Sequence, residues 1–425
     1  MRTGVVLFTR DLRVHDNPAL HTAGQIADRV VPLFVADPAV PSSPNRRRFL
    51  RECLDDLRTS LRERGGDLVV RLGDPVAEAI KVARDTGAFG IGVCADASGF
   101  AVARERRLAQ ECATQRLSLK VFNGVTIVPP GAVRPAGSDH YRVFTPYWRA
   151  WSALGHRAEL PAPTRVTLPD GVALGRLPAG GSATGLMAGG ESEGRRRLAR
   201  WSGTSGAYAE MRDDLAGDRT SRLSAYLHFG CVSPIAVASR IASETYLRQL
   251  CWRDFYHQVL HAFPELPRRA YRTGAGEQWR DDPDALAAWQ AGQTGIPIVD
   301  AGMRQLAAEG WMHNRARLVT ASYLTKHLGL DWRQGAEWYA SLLLDADVAN
   351  NSGNWQWVAG TGNDTRPYRR FNPIRQAERF DPLGVYVRRW VPELAHIPGA
   401  AVHRPWDLPA AEQRALRYPK LLGGP

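Results

Sequence analysis

The sequence predicts two parts: an α/β N-terminal half built on a doubly wound, five-stranded parallel sheet, and an all-α C-terminal half. Three observations carry this reading. Five short apolar runs alternate with amphipathic segments over residues 4–122, a Pro- and Gly-rich stretch follows, and from Leu198 onward apolar residues recur at helical spacing.

The predicted strands are 4–9 (GVVLFT), 30–35 (VVPLFV), 67–72 (DLVVRL), 89–94 (FGIGVC) and 118–122 (LSLKV), with helical patterns near 46–64, 75–86 and 99–115. Near-continuous apolar runs mark strands covered on both faces, and the intervening helices supply the cover. Asn17-Pro18 reads as an N-cap followed by proline at the first helical position, where its missing N–H costs nothing. Residues 126–197 read as a connector draped over the surface, with one helix near 145–153. Ser233-Pro234 then opens a helix predicted to reach about Ser243. Further helices are predicted at 245–262, 283–291, 297–309, 312–328, 332–343 and 348–358. The expected division is therefore 1–125, 126–197 and 198–425.

Composition narrows the function. With 55 Lys and Arg against 43 Asp and Glu, the net charge is +12, a field that favours polyanions such as nucleic acid. The five cysteines are dispersed, without a CxxC pair or Cys/His cluster at zinc spacing, which suits reduced thiols in a cytoplasmic protein. No apolar run approaches the ~20 residues of a membrane span, and the N-terminus lacks a signal-peptide pattern. A soluble monomer without a membrane partner is expected. Neither GxGxxG nor GxxxxGK[ST] occurs in the N-terminal half, which argues against a nucleotide held through either fingerprint.

Three segments carry candidate chemistry. In DRTSRLSAYLHFGCVSP, Thr220, Ser221 and Ser224 bring hydroxyls and free N–H groups to a helix start, which suits phosphate oxygens. In EGWMHNRARLVTASYLTKHLGLDW, Asn314 and Arg317 share a helix face. The segment LLLDADVANNSGNWQWVAGTGND offers Asp345 and Asp347 as carboxylate partners for that arginine. It also repeats Asp347, Asn351 and Trp355 every four residues. Acids, an amide and a tryptophan on one apolar face are costly to bury unless they meet a polar ligand or form a satisfied core network. Twelve of the thirteen tryptophans lie at or beyond Trp151, as core filling or as an aromatic electron path beside a redox cofactor.

Taken together, TSRLSAYLHFG, CWRDFYHQ, GQTGIPIVDAGMRQLAAEGWMHNRAR and DADVANNSGNWQWVAGTGND resemble, in order and spacing, the FAD-binding half of DNA photolyases and cryptochromes. TRDLRVHDNPAL resembles the same family's opening strand and turn, so the resemblance spans nearly the whole chain. It lies closest to class I cyclobutane pyrimidine dimer photolyases. The resemblance implies FAD, active as FADH⁻, with Tyr208, Thr220, Ser221, Leu223 and Ser224 along its phosphates and ribityl chain. It implies that Asp345 pairs with Arg317 beside the isoalloxazine, that Asp347 lies near the ring's polar edge, and that Asn351 faces flavin N5. Trp355, Trp332 and Trp279 match the family's photoreduction chain. The implied activity is light-dependent repair of dimers in UV-damaged DNA, by electron transfer from the excited reduced flavin to a flipped-out lesion. Trp252 and Trp357 would stack on the lesion and Asn314 would give it a polar contact. A cryptochrome-like blue-light photoreceptor is the rival reading.

The sequence departs from the family pattern at several points. Gln249 stands where dimer photolyases typically carry glutamate, though its amide keeps an N–H donor. Leu318 replaces a methionine at nearly constant volume. His313 is present at the class I position, without the two pocket histidines of (6-4) enzymes. Ala101 or its neighbours fall where folate-binding relatives place glutamate. This fits 8-hydroxy-deazaflavin, or no antenna chromophore at all, better than folate, with Arg10, Asp37 and Asp96 as candidate liners. Late basic residues (Arg366, Arg369, Arg370, Arg375, Arg379) interleave with Tyr368 and Phe371, a pattern suited to tracking a nucleic-acid backbone.

Overall fold

A computed structural model describes residues 1–181, 187–272, 274, 278–363 and 369–419. Its five strands are β1 (Thr3–Phe8), β2 (Arg29–Ala36), β3 (Val69–Leu72), β4 (Ala88–Cys94) and β5 (Ser118–Phe122), all parallel, in the order β3-β2-β1-β4-β5. Parallel neighbours cannot be joined by hairpins. The crossovers are α1 (Pro18–Ile26), α2 (Pro44–Arg62), α3 (Pro75–Asp85) and α4 (Gly99–Thr114). Central β1 is buried at all six positions, whereas the edge strand β5 is exposed or half-buried throughout. Val5, Leu7, Val31, Leu33, Ile91 and Val93 pack with Val76, Ala79, Val82 and Leu108 of the helices. The N-cap at Asn17 is made as expected, its side chain accepting Leu20 N–H at 3.0 Å. β3 starts two residues later than predicted, because Asp67 is drawn off to Arg58 and Arg62 of α2, at 3.1 and 2.7 Å.

The remaining helices are α5 (Phe144–Leu154), α6 (Glu191–Ser202), α7 (Tyr208–Met211), α8 (Ser224–Phe229), α9 (Pro234–Arg240) and α10 (Glu244–Ala262). After these come α11 (Pro283–Ala291), α12 (Pro297–Glu309), α13 (Asn314–Ser322), α14 (Trp332–Leu342), α15 (Val348–Ala359), α16 (Pro373–Phe380), α17 (Val385–Trp390) and α18 (Ala410–Ala415). No named strand follows β5 among the described residues. The chain forms two compact units, Met1–Gly206 with Ser221–Pro264, and Ala207–Thr220 with Glu265–Pro425.

In the first unit, the predicted connector contains a second helix. α6 begins at Glu191, a buried carboxylate that accepts the Val14 and His15 N–H groups at 2.6 and 3.0 Å. Only tertiary contact brings those donors to it. Buried Asp254 on α10 accepts Ile127 N, Val128 N and Trp151 Nε1, each at 2.9 Å, tying the connector and α5 to α10. Gly230 ends α8 at φ 69°, and a Cβ there would come 1.9 Å from the Arg10 carbonyl oxygen, so no other residue fits. α9 stops at Arg240, short of Ser243, because Ile241 turns extended (φ −115°, ψ 115°).

The second unit is organised around Trp289, Tyr323, Trp332, Tyr339 and Tyr386 in one apolar core. The helix predicted over 312–328 is instead α13 followed by a π-helical turn, Tyr323–His327. The Thr320 and Thr325 hydroxyls bond back to the carbonyls of Ala316 and Ala321, at 2.8 and 2.9 Å, competing with the regular ladder. π-bulges of this kind often sit beside functional sites.

Candidate functional site

Within the second unit α13, α14 and α15 line an open pocket. α13 contributes Asn314, Arg317 and Leu318, α14 contributes Tyr339, and α15 contributes Asn351 and Trp355; Asp345 comes from the link between α14 and α15. Six of the residues singled out in the sequence thus share one pocket.

Arg317 NH2 donates to Asp345 Oδ2 at 2.9 Å, and its Nε donates to the Met312 carbonyl at 2.8 Å. The Asp345 side chain is only 4% exposed, yet its Oδ1 has no hydrogen-bond partner. A buried carboxylate oxygen left this way is costly unless something else donates to it. Asn351 Nδ2 donates to the Ala336 carbonyl at 2.9 Å, which leaves Oδ1 as the pocket-side acceptor. Asp347 stands at the head of the same helix, four residues before Asn351. It is the N-cap of α15, its Oδ1 accepting the Asn350 N and Nδ2 donors at 2.9 and 2.8 Å. An acid just ahead of a helix meets four unpaired N–H groups.

Trp355 is 2% exposed and packs edge-on against Tyr339 (centroids 4.9 Å) and Trp289 (6.1 Å). Its seat exists because position 335 carries no side chain. A Cβ on Gly335 would lie 2.2 Å from Trp355 Cη2 and 2.5 Å from Leu324 Cδ2. Trp332 is fully buried with the Arg333 guanidinium 4.8 Å above its ring, and Trp279 is half-buried.

His313 is the N-cap of α13: Nδ1 accepts the Arg315 N–H at 3.2 Å, and its own N–H donates to Gln305. Burial pushes its imidazole down to about 4, against the opposing pull of Asp218 and Asp213. The ring is therefore neutral, with the proton on Nε2, which is buried without a partner. Tyr208, on α7, is half-buried, and burial raises its phenol to about 12. The Thr220 hydroxyl oxygen is buried without a hydrogen-bond partner.

The other expected residues fall as follows. Trp357 is half-buried on α15, with Arg369 4.8 Å above its ring and Phe371 6.3 Å away. The Arg370 guanidinium lies 3.2 and 3.1 Å from the two ring nitrogens of His327, of which the unprotonated one accepts. Arg375 and Arg379 are exposed on α16, while Arg366 and Tyr368 lie outside the described residues. In the first unit, Ser221 shares a hydrogen bond with the Tyr246 hydroxyl at 2.8 Å and accepts Leu223 N–H at 3.3 Å. Ser224 is the first residue of α8, whose N-cap is Leu223 with no side-chain bond. Gln249 and Trp252 are half-buried on α10, and Trp252 stacks on Phe144 at 3.8 Å with rings 2° apart. At the carboxyl ends of β1 and β4, Arg10 NH1 and Asp96 Oδ1 pair at 3.1 Å. This is where the strand order reverses, the usual ligand crevice of open α/β sheets. The Asp37 carboxylate instead accepts the Ala39 N–H at 2.8 Å.

Sequence reasoning missed Tyr339 and Gly335. Both signals were present: Tyr339 stands seven residues after Trp332, on the same helical face, and an isolated mid-helix glycine marks a close approach.

The lone buried acceptor Asp345 Oδ1, in one pocket with a fixed guanidinium and the Asn351 amide, suits a polar ligand with N–H or hydroxyl groups. The comparisons point to the same ligand. Residues 4–165 match the family described as DNA photolyase, and residues 246–422 match the FAD binding domain of DNA photolyase. A deoxyribodipyrimidine photo-lyase of Streptomyces griseus is 49% identical, over 99% of this chain and 96% of its own. A cryptochrome DASH of Gloeobacter violaceus is 34% identical, over 97% of this chain and 90% of its own. The crystal structure of a bacterial class III photolyase from Agrobacterium tumefaciens superposes with TM-score 0.92 at 33% identity, covering 100% of this chain and 95% of that one. The fold and site are those of a flavoprotein with an α/β and a helical half. The chain belongs to the DNA photolyase/cryptochrome family.

Proposed function

We propose that this chain is a light-driven deoxyribodipyrimidine photo-lyase that repairs cyclobutane pyrimidine dimers in UV-damaged DNA. The observation that carries the reading is the convergence of the Arg317–Asp345 pair, the Asn351 carbonyl oxygen and Trp355 in one pocket. That pocket lies in a segment matching the FAD binding domain of DNA photolyase.

Bound FAD supplies light absorption and electron donation. Arg317, held by Asp345 and Met312, presents fixed positive charge to the pocket. Asn351 offers an acceptor whose direction is set by the Ala336 carbonyl. Tyr208, Thr220, Ser221, Leu223 and Ser224 hold phosphate and sugar oxygens. Asp347 acts through the start of α15, placing Asn350 and Asn351. Trp355, Trp332 and Trp279 would serve as the relay through which bound FAD is photoreduced. Trp252 and Trp357 stack on the lesion, Asn314 and Gln249 offer it polar contacts, and Leu318 packs against it. Arg366 and Arg370 follow the backbone.

In the same reading the chain works as a class I-type monomer, with 1–125 as antenna domain, 126–197 as connector and 198–425 as FAD- and DNA-binding region. A second chromophore, 8-hydroxy-deazaflavin in preference to folate, occupies the crevice near Arg10 and Asp96. Gln249 and the DASH relative favour one alternative, a photoreceptor with weak repair.

Anaerobic illumination of reduced protein with an oligonucleotide carrying one thymine dimer separates the two. Restored thymines are expected. Dimers that persist under light, in protein retaining its flavin, overturn the repair reading and leave the photoreceptor.

A further inference from the structure

Arg248 precedes Trp252 by four residues on α10, so the two side chains share a helix face about 6 Å apart along the axis. The Arg248 guanidinium carbon lies 5.1 Å from the Trp148 ring centroid and 5.7 Å from that of Phe144. Phe144 stacks in turn on Trp252 at 3.8 Å, and Trp148 stacks on Trp151 at 5.5 Å. Trp252, Phe144, Arg248 and Trp148 therefore form one continuous ledge on α5 and α10. Phe144 covers one indole face of Trp252, and Phe255 and Tyr256 lie 5.4 and 5.6 Å from it, so a base can reach it only where these rings leave it open.

A guanidinium held over two rings has surrendered much of its side-chain freedom before any ligand arrives. Its in-plane N–H donors stay available, in the fork geometry that matches a phosphate. The carboxylate beside it is Glu244, 3.6 Å away on the same helix and 73% exposed, a pairing that water and salt weaken. The chain's net charge of +12 favours the same class of ligand.

We infer that Arg248 is a backbone-phosphate contact for the DNA strand whose base stacks at Trp252. The inference rests on the repair reading for the identity of the strand. None of the family motifs in the sequence includes this residue.

The test is equilibrium binding of wild type, Arg248→Ala and Arg248→Lys to a single-stranded oligonucleotide with one thymine dimer and to its undamaged counterpart, each across a salt series. One lost phosphate contact lowers the slope of log K against log salt by about 0.7 for a single strand. Arg248→Ala is expected to show that loss on both oligonucleotides, with affinity reduced about 5- to 10-fold at low salt. Arg248→Lys keeps the slope and loses less affinity, since charge is retained and the fork is not. Circular dichroism and thermal unfolding verify the fold of each variant. An Arg248→Ala slope equal to wild type overturns the inference, as does an Arg248→Lys slope as low as that of the alanine variant. If wild type does not prefer the dimer, the repair reading fails, while the slope difference on undamaged DNA still reports on Arg248.

Discussion

Replacing Gly335 by alanine sets a methyl group 2.2 Å from Trp355 Cη2, 2.6 Å from its Cζ3 and 2.5 Å from Leu324 Cδ2. Carbon atoms in contact prefer about 3.5–4.0 Å, so the indole must retreat by more than 1 Å. Leu324 is fully buried, and Trp289 and Tyr339 border the ring, so there is no cheap direction of escape. Overpacking of this kind costs about 1–3 kcal/mol. The better helix propensity of alanine returns up to ~1 kcal/mol. A net loss of about 1–2 kcal/mol is expected in urea unfolding, with slower photoreduction of the oxidised flavin. The cycle is closed with Trp355→Phe, which removes the two clashing ring atoms and leaves only the Leu324 contact. In that background Gly335→Ala should cost less, by a coupling of about 1 kcal/mol. Equal costs in both backgrounds, with photoreduction of Gly335→Ala at the wild-type rate, would refute the claim that Gly335 seats Trp355.

Asp345→Asn removes the anion that holds Arg317. Because Arg317 is 24% exposed, the loss is about 1–3 kcal/mol, less than for a fully buried pair. The measurable outcome is reduced FAD retention on gel filtration; full retention would detach the pair from the flavin site. For His313, the folded-state value near 4 lies below the unfolded 6.5, so the unfolded chain binds the extra proton between them. Its contribution is complete above about pH 6.5 and is lost as pH falls towards 4, in total on the order of 3 kcal/mol. His313→Gln, which keeps a capping acceptor, should flatten stability against pH in that window. Parallel curves for the two proteins would show that His313 is not the titrating group.

The elements of this protein were legible in its sequence because their signals are local. Apolar runs, Asn17-Pro18, Ser233-Pro234 and the helical repeats of the second half depend on neighbours a few residues away. The placing of Arg317, Asp345, Asn351 and Trp355 as candidates followed from the cost of burying polar groups and from resemblance, and the structure brings these four into one pocket. Where local demands compete, the pattern misled. Asp67 serves two arginines ahead of β3, and a π-helical turn follows Ser322 where one continuous helix was expected. Other features had no local signal strong enough to reveal them. The buried Glu191 that starts α6 and the ledge joining Arg248 to Trp252 through Phe144 depend on residues distant in sequence. Sequence by itself determined which segments become helices and strands, because backbone propensity and periodicity act within a few residues. Tertiary structure alone decided which polar atoms are left unpaired for a ligand, because that depends on every donor and acceptor that folding brings near.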